Sequence, residues 1–273
     1  MDASESTARE SRAYETNTQE SLQYLAQLEE LLGKAEEMFR AGFGTAPARR
    51  KSGGSPVTTV DFSIEEYLRD TLQGIAGATV CGEEHGGEIG AEPAWVIDPI
   101  DGTANFAAGN PMCAINVALV ANYRPVVGMI ALPLLHKRIS AVAGGGVLRN
   151  GEHFVRHRPH GHIGASNVGS AAVDQISAHR RAQMLEDIVS QGLSTRITGS
   201  VGLDLAFAAE GIFDGIMNFS PFPWDNAAGA LLNAEAGLVV TDLEGRPWTT
   251  RSHGIIAGGA DIHHRLHRLV REN

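Results

Sequence analysis

A chain of 273 residues with 43% hydrophobic and 20% charged residues is long enough to bury a substantial core, as one large domain or two halves. Its formal charge of −10, with no basic run, argues against a nucleic-acid polymer as partner, because such modules present a basic patch or stripe to the phosphates. No apolar stretch reaches the length of a membrane span and no positively charged segment runs into an apolar one at the N-terminus, so no membrane association and a cytoplasmic location are expected.

Residues 1–20 are polar, rich in Ser, Thr and Glu, and read as a mobile N-terminal extension. From Ser21 to Phe43, Leu22, Leu25, Leu28, Leu32, Ala35 and Met38 recur at helical spacing, which predicts a long amphipathic helix. Ala46 to Ser55 is a basic, glycine-containing turn, in which Arg49, Arg50 or Lys51 could meet an anionic group. Ser63 and Glu66 then match a capping box ahead of Ile64, Tyr67, Leu68 and Leu72. Asp61 is left just outside that helix, where a capping role alone would account for it. A short strand at Thr79–Cys81 runs into the loop Gly82-Glu83-Glu84-His85-Gly86-Gly87. Adjacent glutamates in such loops ordinarily face solvent, but Glu83 follows one strand end and shortly precedes another.

That second strand, Ala94 to Ile97, delivers Asp98 and Asp101 three positions apart, with Pro99 between them and Gly102 behind. In a straight strand the two carboxylates would face opposite sides. Pro99 cannot donate to a ladder and Gly102 permits a positive φ, so the chain is expected to bend here and turn both toward one point. Two such groups repel and desolvate at high cost unless a cation or a shared proton compensates. A hard divalent cation is the simplest compensator, because an ion such as Mg²⁺ takes oxygen ligands.

Beyond Phe106, Ala114–Ala121, Pro125–Leu132 and Lys137–Val142 form a predicted antiparallel meander, closed by Gly144-Gly145-Gly146 and by the turn pair Asn150-Gly151. Cys81 and Cys113, in apolar strand-like contexts, are expected to be free buried thiols. His153, His157, His160 and His162, among Arg and Pro, read as a solvated loop. The boundary between halves falls in this region, separating an N-terminal α+β half at 21–150, with the main metal-binding loop, from a C-terminal α/β half at 151–273. In the second half a helix at Ala182–Gln191, a strand near Arg196, a helix at Ser200–Glu210 and a strand at Phe213–Met217 alternate. Asp225 stands at the start of a small-residue helix, Ala227–Ala236, which Gly237 stops. A hairpin turning at Glu244-Gly245, a strand at Ile255–Ala257 and a C-terminal helix complete the chain.

Taken together, Gly82-Glu83-Glu84, Trp95-Val96-Ile97-Asp98-Pro99-Ile100-Asp101-Gly102-Thr103-Ala104-Asn105-Phe106 and Trp224-Asp225-Asn226-Ala227-Ala228-Gly229 resemble the signature motifs of the inositol monophosphatase family. The resemblance extends through Pro125-Val126-Val127-Gly128, Asn150-Gly151, Gly199-Ser200 and Ala234-Glu235-Ala236-Gly237. It implies a layered αβαβα sandwich of the sugar-phosphatase type, lithium-sensitive, Mg²⁺-dependent hydrolysis of a small phosphorylated metabolite, and a homodimer. On the matching positions, Glu83, Asp98 and the Ile100 carbonyl would hold one Mg²⁺, Asp98, Asp101 and Asp225 a second, and a third, weaker ion would lie near Glu83. Thr103, with Glu83 and Asp61 behind it, would activate the attacking water. The substrate would meet Asp101, the Gly102 and Thr103 amides, Val201 and Asn218.

The spacing of Asp98 and Asp101 differs from the two-residue spacing of the haloacid dehalogenase type, so no aspartyl-phosphate intermediate is expected. Asn218 stands where the resembling enzymes carry a glutamate that contacts inositol hydroxyls, and Val201 where they carry a small residue, so that its bulk is expected to narrow the pocket. Fructose 1,6-bisphosphate, histidinol phosphate and 3′-phosphoadenosine 5′-phosphate therefore stand beside inositol phosphate as substrates. A non-catalytic homologue that binds cations or a sugar phosphate is the reading from another class.

Overall fold

In a computed structural model, which describes residues 18–45, 49–50, 56–157, 162–165 and 176–272, the first periodic segment forms the outermost layer. Helix α1 (Thr18–Gly42) turns Leu25, Leu28, Leu32, Ala35 and Phe39 inward at spacings of three and four. Of the extension expected at 1–20, residues 1–17 lie outside the described residues, and the last three already belong to α1. Arg49–Arg50 (β1) and Pro56–Val57 (β2) pair as a short antiparallel hairpin, while Lys51 lies outside the described residues.

Helix α2 (Thr59–Leu72) begins earlier than the predicted Ser63/Glu66 box. Thr58 is its N-cap, accepting from Val60 N at 3.1 Å, and Asp61 closes the box by accepting from the Thr58 amide at 2.8 Å and hydroxyl at 2.6 Å. Ser63 instead donates to Thr59 O within the helix, and Glu66 is exposed. Asp61 thus sits inside the first turn, fully buried, and not ahead of it.

A seven-stranded sheet follows in chain order: β3 (Thr79–Gly82), β4 (Ala94–Asp101), β5 (Ala114–Ala121), β6 (Arg124–Leu132), β7 (Lys137–Val142), β8 (Val147–Arg149) and β9 (Glu152–His153). Only the β3–β4 pair within it is parallel; the rest is the expected meander. Asn150 and Gly151, with φ of 51° and 80°, make the left-handed turn between β8 and β9. Between β4 and β5 lies the short helix α3 (Thr103–Ala108).

The second half holds β10 (His162–Gly164), α4 (Ala178–Ser190), β11 (Ser194–Arg196), α5 (Val201–Glu210), β12 (Gly215–Asn218), α6 (Pro223–Glu235), β13 (Val239–Thr241), β14 (Ile255–Gly258) and α7 (Ala260–Glu272). Its five strands order as β11-β10-β12-β14-β13. Helix α4 starts four residues before the predicted position because Ser177 caps it, accepting from Arg180 N. Helix α6 starts at Pro223, so that Asp225 lies within its first turn.

Strand alternation decides the layering. Trp95, Ile97, Ile115, Val117, Leu119, Val127 and Met129 face α1 and α2, whereas Val96, Ala118, Val120, Ile130 and Leu132 face α5 and α6. Ile216, Ile255 and Ala257 of the small sheet join the latter core, and Met217 and Ile256 turn to α4 and α7. The order is therefore αβαβα, with α5 and α6 between the two sheets. Close approach there needs glycine: a Cβ on Gly128 would lie 3.0 Å from Ala228 O, and one on Gly229 within 2.5 Å of Leu205 Cβ.

The predicted solvated histidine loop is only partly that. His153 lies in β9 and His162 in β10, and between them Arg156 donates to the carbonyls of Ala208, Phe213 and Asp214, docking the segment on the end of α5. His160 lies outside the described residues. Cys81 and Cys113 are free and buried, as expected.

Candidate active site

All of β4 is buried, and it continues to Asp101 instead of ending at Ile97. Its register against β5 pairs Asp98 with Asn116 and Asp101 with Ala114. Three steps on β4 oppose two on β5, so one extra residue is accommodated as a bulge. That extra residue restores parity: Asp101 returns to the face from which Asp98 projects. The Ile100 amide donates to Asp98 Oδ1 at 3.0 Å across the irregularity. Gly102, at φ 87°, then turns the chain into α3, and a Cβ there would lie 3.0 Å from Met112 O and 3.2 Å from Ser200 Cβ.

Thr103, the first residue of α3, shares its hydroxyl proton between Asp61 Oδ1 at 3.1 Å and the Ile100 carbonyl at 3.0 Å. Asp61 receives Thr58 on its other oxygen. Burial raises the Asp61 carboxyl above its ordinary range, and the hydrogen bonds from Thr58 and Thr103 oppose that rise.

Asp101 reaches into the other half of the molecule. Its carboxylate accepts from Ser200 Oγ at 2.5 Å, Gly202 N at 2.6 Å and Val201 N at 3.1 Å, closing the N-terminus of α5. Burial raises this carboxyl most; those three donors pull it back and Glu83 pushes it up, leaving it at about 6. The Cys113 thiol is pushed up to about 12, by burial first and then by Asp101. Asp225 accepts the hydroxyl of Ser220.

Two expected substrate contacts are turned elsewhere. Asn218, only 1% exposed, donates to Asn226 Oδ1 and accepts from Ser220 N, both at 2.9 Å, so its carboxamide braces the loop leading to Asp225. Both of its polar groups are consumed inside the protein. Val201, 6% exposed, packs its side chain into the core between the sheets, so it does not narrow a pocket, and only its amide reaches the acids. Glu83 and Glu84 are half-buried, not solvent-facing; Glu83 leaves β3 with its amide on Ile97 O at 3.2 Å.

Sequence reasoning passed over Ser200 and Ser220 as partners of the acids, and Glu65, which accepts from the Glu84 and His85 amides beside Glu83. Glu65 lies four residues after Asp61, on the same helix face, and that spacing was a usable signal. No comparable signal marks Ser220.

Electrostatics ties the group together. Asp98, 1% exposed, has its carboxyl raised well above the ordinary range, by burial first and then by the charges of Glu83, Asp101, Asp225 and Asp61. Four acids from α2, the turn after β3, β4 and α6 thus act on one buried carboxylate. They sense one another, but among the described residues no three acid, histidine or cysteine side chains are grouped tightly enough to close on one ion.

The sequence matches the inositol monophosphatase family over residues 20–273. The chain belongs to that family. As an inositol monophosphatase family member it is a phosphoric monoester hydrolase. It is 38% identical to the probable inositol 1-monophosphatase ImpA of Mycobacterium tuberculosis, across 88% of this chain and 91% of that one. It is 35% identical to a fructose-1,6-bisphosphatase/inositol-1-monophosphatase of Aquifex aeolicus, across 76% and 78%. Among solved structures it resembles an IMPase of Thermotoga maritima, with a TM-score of 0.77, 26% identity and coverage of 88% and 93%. None of the helices among the described residues is long and apolar enough to cross a membrane.

Proposed function

We propose that this family member is a Mg²⁺-dependent phosphomonoesterase acting on inositol 1-phosphate or a close polyol phosphate. The observation that carries the reading is the buried Asp98 carboxylate with four further acids raising its proton affinity. The donor set fits a hard divalent cation: carboxylate oxygens and a backbone carbonyl, with no sulfur. Mg²⁺ usually keeps several waters and takes substrate oxygens, so it does not need a closed cage of side chains, which this site lacks.

Glu83, Asp98 and the Ile100 carbonyl would hold one ion; Asp98, Asp101 and Asp225, which would have to draw closer together than they stand without metal, would hold a second, with a third, weaker position beside Glu83. Ile100 O already accepts from Thr103 and keeps a second lone pair. Asp101 does double duty, since its oxygens also close α5. When bound, Mg²⁺ supplies Lewis acidity to the attacking water and to the departing alkoxide.

The chain's own part is proton handling and orientation. Thr103 Oγ1 gives its proton to Asp61 and has lone pairs left to accept from water. A proton can pass from water to Thr103 as the Thr103 proton passes to Asp61, whose raised affinity suits a base. Glu83 flanks that water in the same reading, and the amides opening α3 at Gly102 and Thr103, with Asp101, meet the substrate. Lithium inhibition, a homodimer and a cytoplasmic setting belong to the same reading, the last supported by two unpaired cysteines.

Phosphate release from inositol 1-phosphate, fructose 1,6-bisphosphate, histidinol phosphate and 3′-phosphoadenosine 5′-phosphate, each with and without Mg²⁺, tests this. The expected result is Mg²⁺-dependent release with inositol 1-phosphate preferred. Release that ignores Mg²⁺, or none from any ester, contradicts it. The Aquifex relative's dual name makes fructose 1,6-bisphosphate the second substrate to watch.

A further inference from the structure

Behind the acid cluster, α2 carries a carboxylate that none of the chemistry above uses. Glu65 has 0% exposure and stands one helical turn beyond Asp61. It accepts from the Glu84 amide at 2.7 Å and the His85 amide at 2.9 Å, so the two residues that follow Glu83 hang from it. Arg69 Nη2 at 3.1 Å and His85 Nδ1 at 3.2 Å complete its surroundings, and Arg69 also binds the carbonyls of Val80 and Gly86. On the other side of Glu83, a Cβ at Gly82 would lie 2.3 Å from the Glu65 carboxylate. Gly82 is thus the residue that lets the carboxylate seat under the turn, which its own backbone closes by reciprocal 3.1 Å bonds with Gly86.

A buried carboxylate persists only where hydrogen bonds and opposite charge compensate it, and here every donor belongs to the Glu83 turn or to the arginine that grips it. We infer that Glu65 is a positioning residue: it aims Glu83 into the acid cluster, and it sets Glu83 in register with Asp61 because both are referred to the same helix. A carboxamide at 65 keeps one acceptor oxygen, but its NH₂ faces a second amide donor, so it can hold only part of the turn.

This inference rests on the reading that the cluster binds Mg²⁺, and the test separates the two. Mg²⁺ binding to the substrate-free protein is measured by titration calorimetry for wild type, Glu65→Gln and Glu65→Ala, together with hydrogen exchange at the Glu84 and His85 amides. The expected result is Mg²⁺ affinity weakened about 10-fold or more in Glu65→Ala, as supporting residues around metal ligands commonly show. Glu65→Gln should fall between, both amides should exchange faster, and kcat at saturating Mg²⁺ should recover more fully than affinity. Wild-type Mg²⁺ affinity in folded Glu65→Ala overturns the inference. A wild-type protein that takes up no Mg²⁺ overturns the metal reading itself. If Glu65→Ala does not fold, Glu65→Gln and Arg69→Ala decide: weakened affinity in both upholds the positioning role, and wild-type affinity in both overturns it.

Discussion

Replacing Asp98 by asparagine removes one charge from among five acids while keeping side-chain volume. Asp98→Asn is therefore expected to stay folded and to lose turnover, read by phosphate release alongside circular dichroism. Activity near wild type in a folded variant would remove Asp98 from the site. Thr103→Val takes away the proton path to Asp61 and is expected to lower kcat about 10²- to 10⁴-fold, the range for positioned proton transfer, with KM little changed. A matching rise in KM with kcat preserved would make Thr103 a binding group instead. Asn218→Ala strands the Ser220 amide and the Asn226 carboxamide, for a loss of about 1–3 kcal/mol in stability with the substrate ranking unchanged. A changed ranking at unchanged stability would return Asn218 to the substrate. The identities of the acids were legible in the sequence because they sit in motifs at strand ends. The orientation of Asn218 and Val201 was not, because it is set by partners eight residues away and by a carboxylate from the other half.

At the scale of elements, the bulge in β4 does the work that the sequence assigned to Pro99 and Gly102. A bend was expected after Ile97, yet the strand continues and one extra residue reverses the facing of Asp101. Alternating apolar runs made the meander readable, and the long helix followed from its three-and-four spacing. Two helix starts were the unreadable part, since α2 begins on a Thr58–Asp61 box and α4 on a Ser177 cap four residues before the expected position, whereas α5 starts where Ser200 predicted it. The central helices pack closely enough that Gly229→Val is expected to destabilise by about 1–3 kcal/mol, the usual cost of overpacking, measured by chemical denaturation. No loss would mean that α5 and α6 can separate at Leu205.

For the whole molecule, the two halves meet where the acids do, so the metal-free protein carries the cost of that meeting. Asp101, raised from 3.8 to about 6, and Asp98, raised well above 3.8, bind more protons folded than unfolded across that interval. The contribution of Asp101 to stability is complete below pH 3.8 and is lost as pH rises through about 6; that of Asp98 has the same sign. Metal-free protein should thus gain less from neutral pH than Asp98→Asn does, a difference visible in melting temperatures at pH 5 and 7. A bound cation reverses the penalty by favouring the ionised carboxylates. The most direct test is thermal unfolding at pH 7 with and without Mg²⁺, for wild type and Asp98→Asn. Saturating Mg²⁺ at about 100 Kd should stabilise wild type by about 2.7 kcal/mol. Asp98→Asn should melt higher than wild type without metal and respond little to Mg²⁺. A wild-type melting temperature indifferent to Mg²⁺ would contradict the account.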